Sequence, residues 1–198
     1  MNILTLFGSP RKNGNSRLLT EAFLARAEAL GATVERVFLN QLTYKGCQHC
    51  DACKNKQEEC ILDDDLAPVL AAAAACDVLV MATPVYYGEV TSQLKGFIDR
   101  TYSYLVKDYG PKEIKTKLAP GKKLVMVIAQ GHPKENLFAD IYPRYSYFFK
   151  RHHRFAASWC VRTCGVYYLG DTEAHPEGLE LAARTAEQVM GYEQGADE

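Results

Sequence analysis

The sequence predicts an α/β fold in which a doubly wound, five-stranded parallel sheet is covered by helices on both faces. Short apolar runs alternate with segments of helical periodicity along the whole chain. The central apolar runs are continuous, as in strands that are buried on both faces. No linker or internal repeat interrupts this order. We therefore expect a single domain over residues 1–198, with a cysteine-rich loop insertion at residues 40–62 after the second strand.

The first half of the chain predicts two strands and one helix. The first strand is expected at residues 2–7, and a helix follows from Ser16, where apolar residues recur at helical spacing until Gly31. The second strand is expected at residues 33–39, where apolar and charged residues alternate as in an outer strand. Residues 40–62 show no period, and loops of that length are usually functional.

The second half of the chain repeats the alternation of helix and strand. We expect, in order, helix 66–75, strand 77–82, a helix carrying apolar residues from Val90 to Leu105, strand 122–129, helix 140–154, strand 159–169 and a helix that begins at Pro176. Because each strand is followed by a helix, the strands are predicted to run parallel.

The composition is that of an ordinary globular protein, with 47% hydrophobic and 24% charged residues. Its 23 basic and 24 acidic side chains leave a formal net charge of −1, which argues against nucleic-acid binding. The most apolar region, residues 66–90, is interrupted by Asp77 and is not expected to span a membrane. The N-terminus lacks the basic start and cleavage site of a signal peptide. We therefore expect a cytoplasmic protein that binds neither nucleic acid nor membranes.

The loop after the first strand has the composition of a phosphate-binding loop. Residues 8–16 combine two glycines, hydroxyl and amide side chains and two cations before a helix, whose N-terminus offers unpaired N–H groups. It is not a Walker motif, because five residues rather than four separate Gly8 from Gly14 and Asn15 stands at the lysine position. This pattern favours one monophosphate over a triphosphate. The alternative is a polar turn that only caps the helix.

Two further loops leave the predicted sheet at the same edge, where doubly wound sheets bind their ligands. Residues 83–88 combine a proline, two tyrosines and a glycine, and residues 130–133 add a carboxamide and another glycine. Aromatic faces and exposed backbone groups are what a flat conjugated ring needs. We therefore expect the loops after Phe7, Ala82 and Ala129 to converge on one ligand.

These loops resemble the NAD(P)H-dependent FMN reductase branch of the flavodoxin-like superfamily. The resemblance is carried by residues 8–11, 15–16, 83–88 and 95–100 and covers most of the chain to about Gly131. It implies a flavodoxin-like fold with bound FMN. By this resemblance the cofactor contacts are Ser9, Arg11, Asn15 and Ser16 at the phosphate, Pro84, Val85, Tyr86, Tyr87 and Gly88 along the isoalloxazine, and Gln130 and Gly131 on its other side.

Four of the seven cysteines fall within fourteen residues. Thiolates at this density select an iron–sulfur cluster, zinc or copper(I). On spacing alone, a closed zinc site and free or redox-active thiols remain alternatives. The spacing resembles the compact motif of the iron–sulfur flavoproteins, a subgroup of the same superfamily. That resemblance implies a four-iron four-sulfur (4Fe-4S) cluster beside FMN, held by Cys47, Cys50, Cys53 and Cys60.

Several other residues are interpreted as structural. Cys76 ends an alanine-rich helix and is expected in the core. Cys160 and Cys164 share one face of a strand, but four residues at ~3.3 Å each place them too far apart for a disulfide. Asp99 and Arg100 are expected to form an ion pair that supports their helix, or a subunit contact.

Five aromatic residues fall within residues 142–149, more than one helix face can bury in a monomer. This pattern predicts a subunit interface, and we expect a homodimer or a homotetramer. An ordinary core helix is the alternative.

The expected function is that of an FMN-dependent oxidoreductase with an iron–sulfur cluster. It would pass electrons from NAD(P)H or a reduced redox protein to a small-molecule or protein acceptor, such as a quinone or a flavin. No catalytic side chain is assigned, because the cofactors supply the chemistry. The alternatives are a non-catalytic electron carrier that docks to redox partners and a cysteine-based redox or zinc sensor.

Overall fold

The computed structural model describes residues 1–191 and confirms the five-stranded parallel sheet. The last seven residues of the predicted domain, 192–198, lie outside the described part of the chain. The spatial order of the strands is β2-β1-β3-β4-β5, so the order reverses beside β1. Their bounds are β1 Asn2–Phe7, β2 Thr33–Phe38, β3 Val78–Pro84, β4 Lys123–Gln130 and β5 Ala157–Cys164.

Helices cover both faces of the sheet. The α-helices are α1 Asn15–Ala29, α2 Ala52–Asn55, α3 Leu66–Ala75, α4 Ser92–Arg100, α5 Ile141–His153 and α6 Pro176–Met190. Short 3-10 turns follow β2 at Leu39–Gln41, α4 at Thr101–Tyr104 and β5 at Asp171–Ala174. Helices α1 and α6 pack on one face, and α3, α4 and α5 pack on the other. None of the helices within residues 1–191 is both long and apolar enough to cross a bilayer.

The continuous apolar runs of β3 and β4 follow from this double covering. Successive side chains of a strand point to opposite faces, so Leu79 and Met81 reach the layer of α3, α4 and α5, while Val78 and Val80 reach the layer of α1 and α6. Since both layers are apolar, neither strand has a polar face. Burial of each such side chain contributes roughly 1.5–3 kcal/mol relative to exposure.

The fifth strand is shorter than predicted. It ends at Cys164 instead of Leu169, because Gly165 adopts a positive φ of 80° and turns the chain. The Val166 N–H then donates to the Gln130 carbonyl at 3.0 Å, which holds the loop after β5 against the end of β4. The tyrosines at 167 and 168 are therefore in a loop and are exposed.

The helix predicted between Val90 and Leu105 is also shorter. It begins at Ser92, where the Thr91 side chain caps it, and gives way to a 3-10 turn after Arg100. The predicted ion pair between Asp99 and Arg100 is wrong, because neighbours on a helix point in different directions. Asp99 pairs with Lys95 at 2.5 Å, one turn away.

Helix α5 divides its aromatic residues between the core and the surface. Tyr145 and Phe149 are buried, whereas Tyr147 and Phe148 are exposed. His153 ends the helix in a buried position, where desolvation and the nearby His152 lower its pKa to about 4. The exposed pair is consistent with the predicted subunit interface, which remains a prediction.

The turn out of β1 requires glycine at its first position. The Gly8 N–H donates to the Ala82 carbonyl at 2.8 Å, and the Thr91 hydroxyl donates to the Gly8 carbonyl at 2.8 Å. A methyl group at Gly8 would lie 2.7 Å from Thr91 Oγ1 and 3.1 Å from the Ala82 carbonyl oxygen. No side chain fits this contact between β1, β3 and α4.

We expect Gly8→Ala to lower the free energy of unfolding by about 1–3 kcal/mol, because the added methyl overpacks this junction. Chemical denaturation measures the change. Gly110→Ala is the matched control, since no atom lies within 4 Å of the added methyl, and it should stay within about 0.5 kcal/mol of the wild type. Equal stability of the two variants would contradict this account of Gly8.

Candidate functional site

A cavity of about 400 Å³ opens at the carboxyl ends of the strands, within the size range of small-molecule sites. It is lined by residues of the loops after β1, β3, β4 and β5. The structure therefore brings the three predicted loops together at one edge of the sheet. Every predicted cofactor contact except Gly88 lines the cavity: Ser9, Arg11, Asn15, Ser16, Pro84, Val85, Tyr86, Tyr87, Gln130 and Gly131.

The first turn of α1 opens into this cavity without a side-chain cap. The N-cap residue is Gly14, and no side chain accepts a hydrogen bond from the N–H groups of the turn. Ser16 is buried at the cavity wall, and the Ser9 hydroxyl accepts the Arg11 N–H at 3.1 Å. The polar side chains of this turn therefore do not cap α1. The free N–H groups and the partial positive charge of this helix end suit an anion.

Asn15 has a different local role from the predicted phosphate contact. Its side-chain amide donates to the carbonyls of Val166 and Tyr168 at 3.1 and 2.7 Å, and its side-chain oxygen accepts the Thr172 N–H at 3.3 Å. Arg11 adds a bond from Nη1 to the Tyr167 carbonyl at 3.3 Å. These bonds fasten the loop after β5 to the start of α1. The side chain of Asn15 thus positions a wall of the cavity, and its backbone N–H remains at the helix start.

The loop after β3 forms a tight turn that presents an aromatic side chain. Tyr86 and Glu89 exchange backbone hydrogen bonds of 2.9 and 3.0 Å across the turn. Its two central residues, Tyr87 and Gly88, have φ values of 49° and 77°, and Tyr87 is fully exposed. A left-handed conformation costs a bulky residue of order 1–3 kcal/mol, and such strain clusters at functional sites. Gly88 faces the Phe138 ring, which explains its place behind the cavity wall.

Glu89 anchors this turn to α5. Its carboxylate accepts hydrogen bonds from the Tyr145 hydroxyl and from Arg144, each at 2.9 Å. Burial and the neighbouring Glu89 carboxylate raise the pKa of Tyr145, so its hydroxyl remains a donor at neutral pH. The loop that carries Tyr86 and Tyr87 is therefore held at its far end as well as at β3.

Gln130 closes the cavity through its backbone rather than through a free carboxamide. Its side chain is buried and donates to the carbonyls of His132 and Lys134 at 2.6 and 2.9 Å. Its side-chain oxygen accepts from Arg162, which also bonds the Leu137 carbonyl. The carboxamide thus shapes the loop after β4. Both predicted amide contacts, Asn15 and Gln130, position the cavity walls.

Three lining residues escaped the sequence analysis, namely Phe138, Val166 and Tyr167. The loop after β5 was hidden because residues 159–169 were predicted as one strand. The Tyr167 ring lies against Gly131, where a methyl group would come within 2.8 Å of the ring. The adjacent Gly165 was the signal for a turn, because glycine in a strand pattern marks a break.

The four cysteines of the loop after β2 line a second, small cavity of about 20 Å³. Cys47 and Cys50 are exposed, and Cys53 and Cys60 are partly buried. Two positive φ values, 50° at His49 and 52° at Asp51, curl the chain between these cysteines. Within residues 1–191, no three His, Cys, Asp or Glu side chains are placed so that they would hold a single metal ion.

Arg100 closes the cysteine-rich loop at both of its ends. Its guanidinium donates to the Lys45 carbonyl and the Asp64 carboxylate at 2.9 Å each, and to the Leu62 carbonyl at 3.2 Å. These groups precede Cys47 and follow Cys60, so one buried cation determines where the loop leaves and rejoins the fold.

The remaining cysteines are remote from this cavity. Cys76 is buried in the core, as predicted. Burial raises the pKa of Cys160 to about 12 and also raises the pKa of Cys164. Both are free thiols on β5, which agrees with the prediction that they do not form a disulfide.

The strand order β2-β1-β3-β4-β5 is that of the flavodoxin-like fold, and the cavity lies where this order reverses. Residues 1–136 match the family model of the NADPH-dependent FMN reductases, and the chain belongs to this family. An iron–sulfur flavoprotein of Archaeoglobus fulgidus is 36% identical over 104 residues, which are 52% of this chain and 47% of that protein. One of Methanosarcina thermophila is 33% identical over 112 residues, 57% of this chain and 58% of that protein. The chain spans about half to three fifths of the length of these relatives.

Solved structures agree on the fold. An NAD(P)H:quinone oxidoreductase of Methanothermobacter marburgensis superposes with a TM-score of 0.74 at 20% identity and covers 96% of each chain. An FMN-dependent NADH-azoreductase of Bacillus anthracis in complex with FMN superposes with a TM-score of 0.70 at 15% identity, over 96% of this chain and 100% of that one. At these identities the likeness concerns the fold.

We expect Asn15→Ala to loosen the loop after β5, because three hydrogen bonds between residue 15 and residues 166–172 are lost. The free energy of unfolding should fall by about 2–3 kcal/mol. Hydrogen exchange measured by mass spectrometry should be faster in residues 166–172. Asn13→Ala, an exposed change in the same loop as Asn15, is the control and should leave both measurements unchanged. Unchanged exchange in Asn15→Ala would contradict the positioning role.

Proposed function

We propose that this chain is an FMN-dependent oxidoreductase that takes electrons from NAD(P)H or a reduced redox protein and passes them to an acceptor such as a quinone or a flavin. The observation that carries the proposal is the uncapped start of α1, which opens into a cavity of about 400 Å³ bordered by tyrosines. A helix N-terminus without a cap provides donors for a phosphate, and the tyrosine-bearing rim suits a flat ring. Membership of the NADPH-dependent FMN reductase family supports the same reading.

The residues that line the cavity fit FMN, with one set suited to its phosphate and another to its ring system. Ser9, Arg11, Ser16 and the first N–H groups of α1, including that of Asn15, would bind its phosphate. The turn from Pro84 to Gly88 and the backbone of Gln130 and Gly131 would border the isoalloxazine. The ring system accepts a pair of electrons and can release them singly.

The side chains around the cavity would bind and orient the flavin and exclude water from it. None of them is needed as a nucleophile or general base. Tyr167 covers the cavity beside Gly131, and Phe138 backs the turn at Gly88. Tyr87 stands free at the rim, where an aromatic acceptor would approach. The names of two structural neighbours contain a quinone and an azo group, which are both conjugated electron acceptors.

We further propose that Cys47, Cys50, Cys53 and Cys60 hold an iron–sulfur cluster. The four sulfur ligands line one cavity, a buried guanidinium lies in its wall, and all four are free thiols. Thiolate ligands in a group of four are the usual donor set of such clusters. Two curated relatives that match 52% and 57% of this chain are named iron–sulfur flavoproteins. Free thiols throughout the chain also favour a reducing compartment such as the cytoplasm.

The test is steady-state turnover of the protein purified without oxygen. With NADH or NADPH and a quinone, we expect reduction of the quinone by a protein that contains FMN, iron and acid-labile sulfide. Flavin and cluster without turnover would favour an electron carrier. A protein that neither retains nor takes up FMN would contradict the proposal, and a zinc-containing, colourless one would favour a sensor.

We expect Ser16→Asp to lose FMN, because the new carboxylate would repel the phosphate at the start of α1. Apparent affinity for FMN should fall by about a hundredfold, the effect of like charges a few ångströms apart near a protein surface. Fluorescence titration of the apoprotein with FMN measures it. The fold should persist, since an acidic residue stabilises the first turn of a helix.

Ser92→Asp is the matched control for this variant. It places the same charge in the first turn of α4, outside the cavity, and should bind FMN like the wild type. Full FMN affinity in Ser16→Asp would rule out this placement of the phosphate.

We expect Cys50→Ser to lose bound iron and sulfide while its circular dichroism spectrum and FMN content stay unchanged. The reason is that Cys50 is exposed in the loop outside the sheet. Cys164→Ser, which alters a thiol on β5, should keep full iron and sulfide content. Retention of both elements by Cys50→Ser would exclude this residue as a ligand.

A further inference from the structure

Two cations lie close to the four clustered cysteines, Arg100 in the wall of their cavity and Lys54 directly after Cys53. Arg100 is the largest fully buried side chain among the described residues, and it lines the cavity beside Cys60. Lys54 follows Cys53 directly in the chain and is half-buried. Each of these two side chains has a hydrogen-bond donor for which the described residues provide no acceptor.

The Arg100 guanidinium has one donor left over. Its terminal nitrogens bond Lys45, Leu62 and Asp64, but the buried Nε–H has no hydrogen-bond partner among residues 1–191. An unsatisfied buried donor on a charged group destabilises the folded protein. A fully buried cation that tolerates this cost next to four sulfur ligands indicates that an acceptor belongs there.

The Lys54 ammonium also donates fewer hydrogen bonds than it has hydrogens. Two of its three hydrogens reach the carbonyls of Tyr102 and Leu105 at 2.6 Å each, and its Nζ lies 4.3 Å from the centre of the Tyr102 ring. No carboxylate lies within ion-pair distance of Lys54 in the described part of the chain. Lys54 thus forms no ion pair with a carboxylate, in contrast to Arg100, which pairs with Asp64.

We propose that Lys54 and Arg100 are positioning residues that raise the reduction potential of the iron–sulfur group in the cysteine cavity. Lys54 does so with its charge, and Arg100 does so with its unpartnered Nε–H in the wall of that cavity. This inference rests on the proposed cluster. Reduction adds one electron to the cluster and hence one negative charge, which a nearby cation or N–H donor stabilises more than it stabilises the oxidised form.

The test is an anaerobic redox titration of the full-length protein with its cluster and flavin, followed by electron paramagnetic resonance. Lys54→Met removes the charge at constant length, and Arg100→Lys keeps a charge but removes the Nε donor. We expect both variants to be harder to reduce. At the wild-type cluster midpoint, the ratio of reduced to oxidised cluster in Lys54→Met should fall about tenfold, which is about 59 mV for a one-electron couple. The flavin midpoint should not move.

Lys95→Met is the matched control. It removes a lysine charge from α4, the helix that ends in Arg100, but Lys95 lies outside the cysteine cavity and pairs with Asp99. Cluster midpoints of Lys54→Met and Arg100→Lys equal to that of Lys95→Met would overturn the inference. If Arg100→Lys does not retain its cluster, the Lys54→Met midpoint alone decides between the two results. Wild-type protein without iron and sulfide would overturn the cluster proposal itself, a failure that elemental analysis distinguishes from an unchanged midpoint.

Discussion

Parallel pairing of β1 with β3 is the constraint on which the candidate site depends. The register places Phe7 beside Ala82, and the next pairing places Pro84 beside Ala129. Three loops therefore leave the sheet side by side, although about 120 residues separate the first from the last. Gly8 makes this close approach possible, because it occupies a junction of β1, β3 and α4 where no side chain fits. The order of the strands, and no single side chain, therefore determines where the cavity lies.

Much of the fold could be predicted because both faces of the sheet are buried. Burial on both sides leaves continuous apolar runs in β3 and β4, and these stand out in the sequence. The end of β5 could not be found in the same way. Val166 continues the apolar pattern of the strand, and its N–H still bonds the end of β4. The strand nevertheless ends before it, because the positive φ of Gly165 turns the chain, and the apolar pattern does not reveal that torsion.

The location of the candidate site could be predicted from the sequence, but the contacts that each of its side chains makes could not. Hydroxyls, glycines and tyrosines after parallel strands indicate a site whatever their individual contacts are. The carboxamide of Asn15 bonds carbonyls more than 150 residues away, and no local pattern reveals such a partner. Gln130 likewise bonds two carbonyls and Arg162. An amide that binds a ligand and an amide that shapes the loop around it have the same signature in a sequence.

Helix α4 is bonded to the loop after β1 at its start and to the cysteine-rich loop at its end. Thr91, which caps its start, bonds the Gly8 carbonyl, and Arg100 at its last turn bonds both ends of the cysteine-rich loop. At 1.5 Å per residue, these two anchor points are about 14 Å apart along the axis. A helix resists compression, so α4 keeps these two loops at a constant separation. For the flavin and iron–sulfur groups proposed above, that spacer would fix the distance over which an electron has to pass.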